Sequence, residues 1–179
     1  MRLFGVFLGL LAVVFVFMGH GPRAEARGSC AAASAVQNAS RSLLAAARRG
    51  SPAAMSQALS RHVNMRRVVM FAIGRHGRKL TGPMRRRYVA LARGYIARKL
   101  ARHSGRFRGS SVEIVRCRKR MVETRLRPGG QKVLWRVSGR RIRDVSLGGV
   151  WLSIMLRDHF ASLIRRSGGD MRLFLASLR

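Results

Sequence analysis

The hydrophobic period of this chain changes twice, and those changes narrow the folds open to it. From residue 30 to about residue 103 apolar residues recur at helical spacing; from Ser110 to Leu147 they alternate; from Val150 onward helical spacing returns. Helices, then strands, then helices is the order expected of an α+β domain with helices packed on one antiparallel sheet.

Local signals punctuate each part. Residues 30–48 (CAAASAVQNASRSLLAAAR) are rich in helix formers and end at Gly50-Ser51-Pro52. A short helix from Pro52 to about His62 follows. Asn64 caps a third, in which Met65, Val68, Val69 and Ile73 share a face and Gly77 closes the run. Thr81-Gly82-Pro83 starts a helix reaching about His103, with Met84, Tyr88, Leu91, Tyr95 and Ile96 along one side and Arg85, Arg86, Arg93 and Lys99 over the remainder. Val112 and Ile114, then Val122, Thr124 and Leu126, then Val133, Trp135 and Val137, then the run Arg140–Leu147 predict four strands, with turns at Pro128-Gly129-Gly130 and Ser138-Gly139. Gly148-Gly149 ends the sheet. A helix is expected over Val150 to Arg166, and a last one over Met171–Leu178, after the Gly168 stop and the Asp170 cap.

The N-terminus sets the compartment. Arg2 precedes an apolar run from Leu3 to Gly19, and Gly21-Pro22 and Ala24-Glu25-Ala26 follow, the pattern of a secretory signal over residues 1–26. The 17-residue run sits at the lower limit of a membrane span, about 17–25 residues, so cleavage is expected over retention as an anchor. The mature chain, residues 27–179, is then a single exported domain, long enough to bury one core without metals. In an oxidising compartment Cys30 and Cys117 are free to pair, which geometry alone decides.

The charge is extreme. The chain carries 37 Lys+Arg against 6 Asp+Glu, a formal net charge of +31, and 33 of the basic residues are Arg. Hydrophobic content of 47% excludes disorder despite that charge. A GC-rich genome also favours Arg, so composition alone does not name a polyanionic partner. Export points to anionic membrane surfaces before nucleic acid.

Catalytic constellations are missing. Glu113 and Glu123 lie on neighbouring strands, but among so many Arg residues ion pairing is their expected role rather than acid–base catalysis. His62, His76, His103 and His159 have no metal-ligand spacing, and Cys117, flanked by Arg116 and Arg118, reads as a strand cysteine. Gly148-Gly149 lacks the pattern of a phosphate loop. No RNA- or DNA-binding motif occurs, and the dense run Arg116–Arg120 (RCRKR) reads as a solvated face of a strand. No enzyme, metal site, cofactor or nucleic-acid partner is expected.

The most specific segments are Val133–Val137, Ile142-Arg143-Asp144-Val145, Gly149-Val150, Arg157 through Phe160 and the tail Gly168–Leu178. With Phe71-Ala72-Ile73-Gly74-Arg75-His76 and the stretch Arg78 to Thr81, they resemble the MlaC family, the periplasmic phospholipid-binding auxiliary components of ABC transporters, also called the toluene-tolerance family. A hopanoid-associated (HpnM-like) branch shares the pattern. The similarity covers about residues 36–178. Arg140, Gly148, Trp151, Gly77 and Val63-Asn64 depart from the family's usual residues, which bears on ligand choice and partner contacts more than on fold.

The resemblance implies a non-enzymatic carrier that moves phospholipid between an outer-membrane lipoprotein complex and an inner-membrane Mla-type ABC transporter. It also implies an apolar lipid pocket between the helices and a twisted four-stranded antiparallel sheet. The pocket candidates are Val69 and Ile73 on the third helix and Leu91 and Tyr95 on the fourth. Val112, Ile114, Val122, Leu126, Val133, Trp135, Val137, Val145 and Leu147 come from the strands, and Val150, Ile154 and Phe160 from the helix that follows. Ordinary core is the competing role for each, and only a cavity separates the two. The rival to a carrier is a basic secreted module that binds anionic membrane surfaces through charge, with a filled core.

Overall fold

The computed structural model describes residues 30–107 and 109–179, so the leader expected over residues 1–26 lies outside it. Three helices come first: α1 (Ala31–Arg49), α2 (Pro52–His62) and α3 (Met65–Ile73). A 3-10 segment, Gly74–Lys79, leads into α4 (Gly82–Arg102). The strands β1 (Ser111–Arg118), β2 (Met121–Arg127), β3 (Gln131–Ser138), β4 (Arg141–Leu147) and β5 (Val150–Trp151) form one antiparallel meander, and α5 (Leu152–Arg166) and α6 (Met171–Ser177) close the chain.

The α+β order is the expected one, with a fifth strand in place of four. Val150 and Trp151 pair with Leu147 and Ser146 across Gly148-Gly149, both of which have positive φ. The first two residues assigned to the long helix are therefore spent on a hairpin, and α5 starts at Leu152. The third helix also ends earlier than expected. Gly74, at φ 57° and ψ −135°, terminates α3, whereas Gly77 sits inside the 3-10 segment.

Side-chain caps fix the helix starts. Asn64 Oδ1 accepts from Arg67 N at 3.1 Å, Thr81 Oγ1 from Met84 N at 3.4 Å, and Asp170 Oδ1 from Arg172 N at 2.6 Å. Each satisfies an amide that the first helical turn leaves without a partner.

The core forms where the helices meet. Tyr88 of α4, Phe160 of α5 and Phe174 of α6 are fully buried, with ring centroids 5.8 to 6.2 Å apart. The Tyr88 hydroxyl donates to the Val69 carbonyl of α3 at 2.6 Å, so one side chain ties four helices together. Burial pushes the Tyr88 phenol far above its ordinary range, which keeps it a neutral donor.

Two further ties join helices to sheet. Cys30, just before α1, is disulfide-bonded to Cys117 of β1, with Cα atoms 6.4 Å apart, which answers the pairing the sequence left open. The second tie is Asp144 of β4, a buried residue. Its carboxylate accepts from Ser153 Oγ at 2.5 Å, Ser153 N at 3.1 Å and Val145 N at 3.0 Å. A β-bulge between Arg136 and Val137 displaces the register beside it and adds local twist.

Two stability measurements follow from these ties. Replacing both cysteines by Ser, or reducing them, should lower the unfolding free energy by about 2–4 kcal/mol, read from guanidinium unfolding with and without reductant. Asp144→Asn should cost about 1–3 kcal/mol, because one amide group replaces a carboxylate that accepts three hydrogen bonds. An unchanged midpoint in that variant would show that α5 is held by packing alone.

Candidate functional site

Two hairpin turns lie at one end of the sheet. The β1–β2 turn, the end of β3 and the start of β4 lie there together because a meander brings alternate strand ends to the same side. Facing them is α3, and the start of α5 closes the space. The result is an open cleft of about 1120 Å³. That is just above the roughly 300–1,000 Å³ usual for small-molecule sites, a size suited to an extended ligand.

The cleft has two chemistries. Val68, Met70 and Phe71 of α3, Met121, Val137, Trp151 and Ile154 make its apolar part. Phe71 and Ile154 are 44% and 42% exposed, so part of each large side chain faces solvent. Around them stand Arg66, Arg67, Arg120, Arg136, Arg141 and Arg143, and Asp144 is the one carboxylate among the described lining residues.

Two of these cations, Arg136 and Arg141, are held in place. The Arg136 guanidinium lies 3.8 Å from the centroid of the Trp151 ring, and Arg157 lies 5.4 Å from that of Phe71. Such stacking orients a guanidinium over an aromatic face. Arg141 donates to the carbonyls of Ser60 and Val63, tying β4 to the end of α2, where Asn64 N also donates to Ile142 O at 2.8 Å. The sequence run RCRKR is interrupted by a turn: Lys119 takes a left-handed φ of 50°, and Arg120 then lines the cleft instead of a solvated strand face.

The remaining charged groups lie elsewhere. Glu113 pairs with Arg127 at 2.9 Å and Glu123 with Lys132 at 3.3 Å, so the two strand carboxylates sit in ion pairs. His62, which meets Ser42 Oγ at 2.8 Å, is depressed below its usual pKa by burial and then by Arg61 and Arg141. His159, 2.6 Å from the Tyr95 hydroxyl, is lowered by burial and then by Lys99 and Arg166. Both shifts favour the uncharged imidazole. Among the described residues no group of three His, Cys, Asp or Glu side chains is placed to hold a metal.

Of the pocket candidates, Val137 and Ile154 line the cleft. Val69, Ile73, Val122, Leu126, Val133, Trp135 and Phe160 are buried, and the Trp135 indole donates to Thr124 Oγ1 at 2.9 Å. Leu91, Tyr95, Ile114 and Val145 are half-buried against that core, and Val112 is half-buried on β1. Leu147 and Val150 are exposed at the β4–β5 turn. The guanidinium rim and the apolar residues Val68, Met70, Phe71, Met121 and Trp151 were not among the candidates. Periodicity selects inward-facing positions, and Val68 is one of them, whereas Met70 and Phe71 sit on the flank of α3 and Met121 and Trp151 at strand ends. The one signal that points to them is that the strand-end turns on this side are rich in Arg.

No curated protein matches this chain. A solved structure of a phospholipid-binding protein from Ralstonia solanacearum, determined in complex with a phospholipid, has the same fold: TM-score 0.67 at 20% identity, covering 82% of this chain and 94% of that one. The model of the MlaC protein family matches residues 31–179, which spans every helix and strand described above, and the chain belongs to the MlaC family.

Proposed function

We propose that this protein is an exported, non-enzymatic phospholipid carrier. Residues 1–26 are its leader and residues 27–179 its working domain in the periplasm. There it passes lipid between an outer-membrane lipoprotein complex and an inner-membrane Mla-type ABC transporter. The observation that carries the reading is the cleft, an apolar wall rimmed by guanidinium groups between α3, the strand ends and α5. Membership of the MlaC family and the fold shared with a protein solved with phospholipid bound support it.

The chemistry fits this use. Each buried CH₂ contributes about 0.8 kcal/mol, so sheltering part of an acyl chain offsets much of the cost of lifting a lipid from a bilayer. Phe71, Val137, Trp151 and Ile154 are the proposed chain contacts. Val69, Ile73, Val133 and Trp135 lie in the buried core. The guanidinium rim meets the phosphate in water. Transfer by such a carrier makes and breaks no covalent bond and needs no cofactor or metal.

Solvent extraction of the protein, expressed through the periplasm and purified without detergent, should yield close to one phospholipid per protein by mass spectrometry. Hopanoid in its place would keep the pocket and change the lipid class. No lipid, even after incubation with liposomes, would remove the carrier reading in favour of a charged-surface module. Ile154→Glu places a carboxylate on the exposed apolar wall and should reduce recovered lipid about tenfold, because burying a charge against acyl chains is costly. Its thermal unfolding should match that of the parent, since Ile154 is 42% exposed.

A further inference from the structure

The six arginines of the cleft face one carboxylate, and that carboxylate is already satisfied. Asp144 accepts from Ser153 N, Ser153 Oγ and Val145 N, so it is committed to the start of α5. The ion pairs between described residues join Arg127 to Glu113 and Lys132 to Glu123, none of which lines the cleft. Arg141 is engaged with main-chain carbonyls and Arg136 rests on Trp151. Arg66, Arg67, Arg120 and Arg143 make no side-chain hydrogen bond or ion pair to the described residues.

An unneutralised cluster of this kind costs self-repulsion, and a bound anion relieves it. The planar guanidinium fork matches phosphate oxygens bidentately, and such charge-assisted bonds are about twice as strong as neutral ones. A zwitterionic headgroup would offer the same phosphate but carry an ammonium into the same positive field. A headgroup with net negative charge carries no such penalty.

We propose that the cleft selects lipids by headgroup charge, taking anionic glycerophospholipids in preference to zwitterionic ones through Arg66, Arg67 and Arg120 at its rim. This deepens the carrier reading and rests on it. The apolar wall supplies affinity common to all phospholipids, and the rim supplies the discrimination.

The test is a competition. The protein, expressed with its leader, recovered from the periplasm and stripped of lipid, is incubated with vesicles of equimolar phosphatidylglycerol and phosphatidylethanolamine. It is then separated from them at high salt, and its bound lipid is quantified. Phosphatidylglycerol should be enriched about tenfold, a ratio that corresponds to about 1.4 kcal/mol. The triple variant Arg66→Gln/Arg67→Gln/Arg120→Gln should take up less lipid in total and lose most of the enrichment in what it does take up. A control, Arg48→Gln/Arg49→Gln/Arg179→Gln, removes the same charge at exposed positions outside the cleft and should keep the enrichment.

Equal uptake of the two lipids by the parent protein overturns the proposal and leaves the carrier reading standing. So does a control that loses as much enrichment as the rim variant, which would assign the effect to overall charge. Failure to take up either lipid defeats the carrier reading itself. Inorganic phosphate titrated into the lipid-free protein should bind at least about a hundredfold more weakly than the anionic lipid, for want of acyl chains. Equal affinity would assign the rim to a free oxyanion and overturn the proposal.

Discussion

The shape of the cleft depends on the carboxylate of Asp144. The first turn of a helix leaves amide groups without partners, and its dipole favours negative charge there. The residue that precedes α5 is Trp151, whose side chain caps nothing. Asp144, reaching from β4, accepts from Ser153 N and Oγ and so does the work of a cap from another element. The start of α5 is thereby fixed to the sheet, which sets Trp151 under Arg136 and Ile154 on the cleft wall.

The scarcity of acids shapes the rest. With 37 basic and 6 acidic residues, most cations in this chain have no carboxylate to pair with. Stability has to come from apolar contact and from covalent closure. The buried triangle of Tyr88, Phe160 and Phe174 is the clearest case of the first, and the Cys30–Cys117 bond supplies the second. Arg side chains are kept at the periphery, and where strand ends bring several of them together they define a surface fit for phosphate.

Much of the fold was legible from local patterns. The caps Asn64, Thr81 and Asp170 act as their positions implied, and the alternating residues from Val112 to Leu147 form the first four strands. Misreadings occurred where two local rules competed. Val150 fits a helical stripe, yet Gly148-Gly149 permits a tight turn, and Val150 and Trp151 pair with β4 instead. Gly77 reads as the stop of the third helix, yet the positive-φ backbone of Gly74 ends it three residues earlier. In RCRKR, strand-like alternation hid a two-residue turn at Lys119-Arg120.

The sequence by itself determined the order of elements, the helix boundaries within a few residues, the apolar face of each helix and the large positive charge. These follow from interactions among near neighbours in the chain, which periodicity and capping residues encode directly. Tertiary structure decided the rest: which inward-facing residues fill the core, that Cys30 reaches Cys117, and that Arg66, Arg120, Arg136 and Arg143 gather beside Phe71, Val137 and Ile154. Those groupings depend on strand register and on the angle at which α3 and α5 meet the sheet. Both are set by contacts between residues far apart in the chain, so no local pattern records them.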